Sequence, residues 1–163
     1  VLARRQPAAS DLRLIVAVIK TITDLERIGD EAERIALMAT DLVSEERVAK
    51  LFTQIHHLGL HSRSMLRGAL DAFAHLDTEK AVAVWSEDRV IDQEYEALLR
   101  ELMTYMMEDP SSIPCVLKTI FAARAIERIG DRAGNICEYV IYLVKGKDVR
   151  HTQLDEQGLH HDD

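Results

Sequence analysis

The chain contains 163 residues, a length typical of a single domain. Hydrophobic residues make up 47% of it and aromatic residues only 5%, a composition that favours an all-α protein and excludes an all-β fold. A net charge of −8 argues against a nucleic-acid-binding surface. The two cysteines show no disulfide pattern, and no long apolar segment is present. These features predict a cytoplasmic protein without membrane insertion.

Four long helices are predicted, because the three prolines lie at positions 7, 110 and 114 and leave long stretches without a helix breaker. In chain order the predicted helices run from Ser10 to about Val43, from Ser44 to about His75, from Thr78 to Glu108, and from Ser111 or Ser112 to Lys145, with Gly146 as C-cap. Helices of about 30 residues joined by short turns run antiparallel to their neighbours, which predicts an antiparallel bundle. Residues 148–163 show no apolar period and are predicted to be disordered.

The start of the chain reads like the end of a longer helix. The sequence of residues 1–6 predicts one amphipathic helical turn before Pro7, and the given sequence does not begin with Met. We therefore expect this sequence to be a fragment that lacks earlier helices.

A five-residue motif occurs twice in the sequence. The segment ERIGD at 26–30 recurs at 127–131, an offset of 101 residues, and the apolar positions upstream of both copies agree. A repeat of this kind indicates that the first and fourth predicted helices are equivalent members of two related helical units.

The carboxylates of the motif continue the apolar stripe of the first helix. At about 100° per residue, Glu26 and Asp30 lie on the same side as Ile15. Asp24 and Glu31 fall on the side that this prediction assigns to solvent, where they could pair with neighbouring arginines. The motif carboxylates are therefore predicted to point into the bundle without a basic partner.

Two further acidic pairs have the same spacing. Glu127 and Asp131 repeat the geometry in the fourth helix, and Asp88 and Asp92 in the third helix could face them across the bundle. Unpaired carboxylates in a helix interface are unfavourable unless a cation neutralises them, and oxygen ligands suit Mg, Mn, Fe, Ca or Zn. A solvated acidic face is the alternative. The predicted metal ligands are Glu26, Asp30, Asp88, Asp92, Glu127 and Asp131.

The histidines are weaker candidates for a metal site. His57 and His61 lie four residues apart, but no carboxylate is close to them in sequence, so they are predicted to be exposed or partly packed. No Glu is followed by a His three residues later, which removes the diagnostic pattern of ferritin-like di-iron oxidases.

The motifs at 24–30 and 125–136, with the entry segments 4–13 and 109–120, resemble the PhoU family of phosphate-uptake regulators. The resemblance covers residues 1–147 and implies two three-helix repeats. Residues 1–43 would be the last helix of the first repeat, 44–147 the complete second repeat, and 148–163 a tail. It also implies that the six carboxylates bind iron or zinc, with Mg or Mn possible. Arg34 stands where the second repeat has Asn135, so the two sites would differ.

The function that the resemblance implies is regulatory. A PhoU-like protein would repress phosphate uptake and the phosphate-starvation response, as a non-catalytic adaptor between the phosphate ABC transporter ATPase and a sensor histidine kinase. A carboxylate-bridged metalloenzyme, such as a phosphohydrolase or oxidase, is the alternative, although no His or Lys lies beside the carboxylates. A purely structural bundle with solvated acids is a third reading.

Self-association is expected from the first helix. This helix carries an apolar stripe and a second apolar flank. A single contact with the other helices would not cover all of this apolar surface, so we expect a homodimer. For the same reason the pair Glu26 and Asp30 is expected to bind metal less well than Glu127 and Asp131.

Overall fold

The computed structural model describes residues 9–42 and 49–146. The described residues form five α-helices and one short 3₁₀ turn: α1 (Ala9–Leu42), α2 (Ala49–His75), α3 (Thr78–Ser86), α4 (Asp88–Glu108), the 3₁₀ turn (Pro110–Ser112) and α5 (Ile113–Lys145). The predicted all-α class is confirmed. The predicted boundary between Val43 and Ser44 and the predicted disordered tail lie outside the described residues, so the division into repeats stays a prediction.

The last helix, α5, is the centre of the structure. It packs against α2, α3 and α4 on one side and against α1 on the other. Contacts of Asp24 with Arg132 and of Asp41 with Lys118 show that α1 and α5 run antiparallel. The structure thus has a three-helix layer formed by α2, α3–α4 and α5, with α1 added along the outer face of α5.

The third predicted helix is not continuous, which corrects that prediction. Glu87 separates α3 from α4, and its backbone N–H bonds to the carbonyl of Val84 at 3.0 Å instead of continuing the α-helical pattern. The carbonyl of Glu87 then accepts from Val90 and Ile91, which starts α4. No proline or glycine marks this position, so the sequence pattern gave no sign of the break.

Helix ends follow local capping rules. Gly146 has φ of +68° and closes α5, as predicted, because glycine adopts this left-handed conformation without strain. At the other end Ser112 makes no side-chain capping bond, and Asp109 caps the preceding 3₁₀ turn, its carboxylate accepting from the Ser111 N–H at 3.1 Å. Asp77 caps α3 in the same way, accepting from the N–H of Lys80 at 2.9 Å.

The apolar core lies between α5 and the other helices of the layer. Its largest fully buried side chains include Leu58 and Met65 of α2, Ile91 and Leu102 of α4, and Ile136 of α5. Among the described residues, no helix is both long and apolar enough to cross a membrane.

Buried positions of α1 recur at a heptad spacing. Ala17, Thr21, Asp24, Ile28 and Glu31 are all buried, and consecutive members are alternately four and three residues apart. This is the spacing that keeps one seam of a helix against its neighbour over a long contact. The seam of α1 is therefore partly polar and contains two carboxylates.

Candidate metal centre

Three aspartates converge where α4 crosses α5. Asp88 and Asp92 lie one turn apart at the start of α4, and Asp131 lies in the middle of α5. Each offers a carboxylate oxygen that lies within 4.8 Å of the other two. Among the described residues this is the one group of three or more possible metal ligands that comes together so closely.

Glycines of α5 allow α4 to approach closely at this point. A Cβ atom added at Gly130 would lie 3.2 Å from Cδ1 of Ile91, which is tighter than ordinary contact. One added at Gly134 would lie 3.7 Å from the carboxyl carbon of Asp88. The glycine of the repeated motif and the next one along α5 thus position the acidic end of α4 beside Asp131.

Asp88 is in an unfavourable environment for a charged carboxylate. Burial, and after it the neighbouring charges of Asp131, Asp92 and Glu138, together raise its pKa to about 6. Its Oδ1 atom is buried and finds no hydrogen-bond partner in the described structure. Burial and the same neighbour, Asp131, also raise the pKa of Asp92.

Glu127 extends the acidic cluster along α5. Only 8% of this residue is exposed. Burial first, and the charge of Asp131 second, raise its pKa to about 7, while Arg124 acts in the opposite direction. Its Oε2 atom lies 3.4 Å from Nη1 of Arg124. Near neutral pH the cluster therefore either retains protons or requires a positive charge.

The residues fit a metal cation. A bound cation would replace the protons, satisfy the buried Oδ1 of Asp88 and remove the repulsion that raises these pKa values. The donor set is made of carboxylate oxygens, which suit hard cations such as Mg, Mn and Fe, and also Zn. Asp88 and Asp131 also line a cleft of about 440 Å³ with Arg128, Arg132 and Asn135, which leaves the cluster accessible.

The first copy of the motif is placed differently. Glu26 and Asp30 are exposed on the face of α1 that is turned away from α5, and the cluster described above does not include them. The predicted inward direction of these side chains is wrong. Asp24 and Glu31, which were assigned to solvent, are each only 4% exposed. α1 has apolar residues on two sides. The side that packs against α5 is the one on which Asp24 and Glu31 meet polar partners from α5.

A network of charged and polar groups joins α1 to α5. Asp24 accepts a hydrogen bond of 2.6 Å from the hydroxyl of Tyr139 and one of 3.1 Å from Nη1 of Arg132. Glu31 lies 3.0 Å from Nη1 of Arg34 and 3.5 Å from Nη1 of Arg128. These partners come from α5 in three of the four contacts, so the network is part of the helix interface.

His61 and Trp85 contact carboxylates that the spacing of residues in the sequence did not indicate. His61 of α2 lies 3.1 Å from Oε2 of Glu94 and 3.4 Å from Oε2 of Glu87, so carboxylates of the α3–α4 segment do surround it. Trp85 donates from Nε1 to Glu138 at 3.2 Å. All three contacts join residues far apart in sequence, which is why spacing alone did not show them.

Comparison with known proteins relates this arrangement to one family. The PhoU domain matches residues 1–39 and 55–140. The phosphate-specific transport system accessory proteins PhoU of Edwardsiella tarda and Escherichia coli K12 are each 51% identical over 156 residues, covering 96% of this chain and 64% of the relative. The Pseudomonas putida homologue is 56% identical over 154 residues, covering 94% of this chain and 60% of the relative.

Solved structures agree with these matches. The crystal structure of PhoU from Pseudomonas aeruginosa has a TM-score of 0.85 and 52% identity, covering 90% of this chain and 70% of that one. The PhoU structure from Streptococcus pneumoniae has a TM-score of 0.79 and 36% identity, with 88% and 67% covered. The chain spans 60–64% of the length of the curated relatives named above. In sequence and in fold, the chain belongs to the PhoU family.

Proposed function

We propose that this chain is part of a regulator of phosphate transport that is not an enzyme. The relatives that it matches over more than nine tenths of its length are named accessory proteins of the phosphate-specific transport system. We propose that the protein works in the cytoplasm and represses phosphate uptake and starvation signalling. It would do so as an adaptor between the ATPase of the phosphate ABC transporter and its sensor histidine kinase.

The metal centre is the second element of the proposal. The observation that carries it is the convergence of Asp88, Asp92 and Asp131 within 4.8 Å, in surroundings that disfavour uncompensated negative charge. We propose that these three carboxylates, with Glu127 next to them, hold an iron or zinc ion, Mg or Mn being the other suitable cations. The bound cation would supply fixed positive charge where α4 meets α5.

The exposed pair Glu26 and Asp30 is proposed as a second and weaker site. The support for this site is the identity of the repeated motif. Among the described residues, Glu26 and Asp30 do not belong to a close group of three possible ligands. Two exposed oxygens on one helix bind a cation less tightly than a preformed set of three, because water competes and fewer ligands are fixed.

The chemistry of the cluster favours the adaptor over the metalloenzyme. The close group consists of aspartates, and the cations that line its cleft are Arg128 and Arg132. Arginine remains protonated near neutrality, and the carboxylates with raised pKa values, Asp88 and Glu127, are assigned as ligands of the proposed cation, so no separate general acid or base remains in the cleft. A purified, metal-loaded protein is therefore expected to show no phosphohydrolase activity toward p-nitrophenyl phosphate above that of the Asp131→Asn variant.

Elemental analysis tests the metal proposal. Protein purified without chelator is expected to contain iron or zinc, and Asp88→Asn and Asp131→Asn are expected to lose most of it, because each removes one of three close ligands. Glu108→Gln, an exposed acid at the end of α4, is the matched control and should keep the wild-type content. Equal metal content in all four proteins would contradict the ligand assignment.

A reporter of phosphate starvation tests the regulatory proposal. Deleting the gene in its host is expected to raise reporter expression in phosphate-rich medium, and the wild-type gene is expected to restore repression. Co-purification with the transporter ATPase and with the kinase tests the adaptor role directly. Unchanged expression after deletion would refute the regulatory function whatever the metal content.

Self-association is also proposed. Ile19 and Ile22 are each 58% exposed and Leu12 is 51% exposed, so α1 presents apolar surface away from α5. We propose that a second copy covers this surface in a homodimer. Light scattering at tens of micromolar is expected to give twice the chain mass, and Ile19→Ser with Ile22→Ser is expected to give the monomer mass.

A further inference from the structure

A second concave surface lies between α1 and α5, apart from the acidic cluster. It has a volume of about 390 Å³, and the residues used in the argument below are Arg34, Leu37 and Met38 of α1 and Phe121, Arg124 and Arg128 of α5. We call it the α1–α5 groove. Its size is that of a site for a few large side chains or a small ligand.

The floor of the α1–α5 groove is apolar and open. Leu37 is 63% exposed and Phe121 is 61% exposed, and Met38 lies beside them. Single exposed apolar residues are common, but here an aliphatic and an aromatic side chain from two helices line the same depression. Such a floor accepts apolar side chains that project from a partner.

The rim of the groove is positively charged in an otherwise acidic chain. Arg34 and Arg128 both approach the same Oε1 atom of Glu31, at 3.0 and 3.5 Å, so two guanidinium groups share one carboxylate. The three arginines are each about half exposed, and the chain as a whole has a net charge of −8. Three arginines therefore face two carboxylates, Glu31 and Glu127, which leaves an excess of one positive charge at the groove.

We propose that the α1–α5 groove binds an acidic amphipathic helix of a protein partner. Apolar side chains spaced one turn apart on that helix would contact Leu37 and Phe121, and its carboxylates would pair with Arg34, Arg124 and Arg128. The identity of the partner, and nothing else in this proposal, rests on the proposed adaptor function. The recognition chemistry follows from the groove itself.

The neighbouring surface favours a protein helix over a broad polyanion. Glu26, Asp30 and Glu33 are exposed on the adjoining part of α1, and they would repel an anionic membrane or a nucleic acid that extended beyond the groove. A single helix that contacts two turns of α1 and two of α5 fits within the basic region. Charge complementarity thus selects a narrow acidic partner.

Fluorescence anisotropy with the full chain tests the proposal. The probe is a fluorescein-labelled, helix-forming peptide with Leu at positions i, i+4 and i+7 and Glu on both flanks of that stripe. We expect saturable binding that weakens at least about tenfold for Phe121→Ser, which removes an exposed apolar contact, and for Arg34→Glu, which reverses a half-exposed charge. Because Arg34 also contacts buried Glu31, circular dichroism checks that the Arg34→Glu variant is folded, and Phe121→Ser tests the groove independently.

Matched controls share the chemistry but not the location. Met107→Ser changes an apolar residue that is 83% exposed, and Arg63→Glu reverses an exposed arginine of α2. Both are expected to bind the peptide within about twofold of wild type. Equal weakening by groove and control variants would overturn the proposal, and so would absence of binding by the wild-type chain.

Two further probes separate the alternatives. A peptide with Lys in place of every Glu is expected not to bind, and phosphatidylglycerol vesicles are expected to bind neither wild type nor Phe121→Ser. Binding of the Lys peptide as tightly as the Glu peptide, or a loss of vesicle binding confined to the groove variants, would refute the acidic-helix assignment. Peptide binding in the groove while gene deletion leaves the starvation reporter unchanged would support the groove and refute only the regulatory function.

Discussion

Substituting Asp88 by Asn is expected to stabilise the metal-free protein at pH 8. In the folded chain Asp88 is partly buried beside Asp131 and Asp92, and its pKa is raised to about 6. A raised carboxyl pKa means that the folded state binds the proton more tightly than the unfolded state does. The ionised side chain therefore destabilises the fold above about pH 6, and a neutral amide removes this effect.

The size of the effect follows from the shift. Moving from 3.8 to about 6 corresponds to about 3 kcal/mol at 1.36 kcal/mol per pKa unit. Asp88 is only half-buried, so screening by water reduces this to about 1.5 kcal/mol. Asn also loses the favourable interaction of an acid with the first turn of α4, about 0.5 kcal/mol. The net gain is about 1 kcal/mol.

Urea unfolding in EDTA measures this gain directly. At pH 8 the midpoint for Asp88→Asn should rise relative to wild type, and near pH 4 the difference should vanish, because the folded carboxyl is then protonated. Glu33→Gln, which changes an exposed acid on α1, serves as the matched control. A gain of equal size at both pH values would show that burial of charge is not its cause, and no gain at pH 8 would refute the reasoning. With metal bound, the sign should reverse.

Four other outcomes are expected. For the metal-free wild type, the free energy of unfolding should fall as pH rises from about 4 to 7, since the pKa values of Asp88 and Glu127 rise from about 4 in the unfolded chain to about 6 and 7 in the folded one; urea titrations at each pH measure this. Gly29→Ala should stabilise by about 1 kcal/mol in thermal melts, because an added Cβ would meet no atom within 4 Å. Gly68→Ala should destabilise by about 1–3 kcal/mol in the same melts, because its Cβ would lie 2.6 Å from Cγ2 of Val84. Tyr139→Phe should lose about 1–2 kcal/mol in urea, because buried Asp24 loses a hydrogen bond of 2.6 Å.

Helix phase explains which parts of the site could be predicted from the sequence. Asp88 and Asp92 share a face because they are four residues apart, and α5 has one continuous apolar seam that includes Glu127 and Gly130. Their approach to Asp131 then follows from packing α4 on α5. For these helices, local periodicity and tertiary contact agree.

The orientation of α1 could not be obtained in this way. Both of its sides carry apolar residues, so periodicity allowed Ile19 or Ile28 to face the bundle, and the structure buries Ile28. The deciding contacts come from Tyr139 and Arg132, more than 100 residues later in the chain. The carboxylates around His61 were missed for the same reason, since Glu87 and Glu94 are distant from it in sequence.

The two buried carboxylates of α1 also define the register of its contact with α5. Asp24 and Glu31 are seven residues apart, so a slip of one heptad would keep the apolar seam but move one acid into the other's place. If Glu31 moved to the place of Asp24 beside Arg132, Asp24 would move to the buried place of Ala17, away from Arg132 and Tyr139. In the opposite slip, the hydroxyl of Tyr139 would lose its acceptor. Each misaligned pairing leaves a buried polar group unsatisfied, at a cost of about 1–3 kcal/mol or more. The two acids therefore select one alignment of α1 on α5. Apolar packing alone would not distinguish this alignment from the shifted ones.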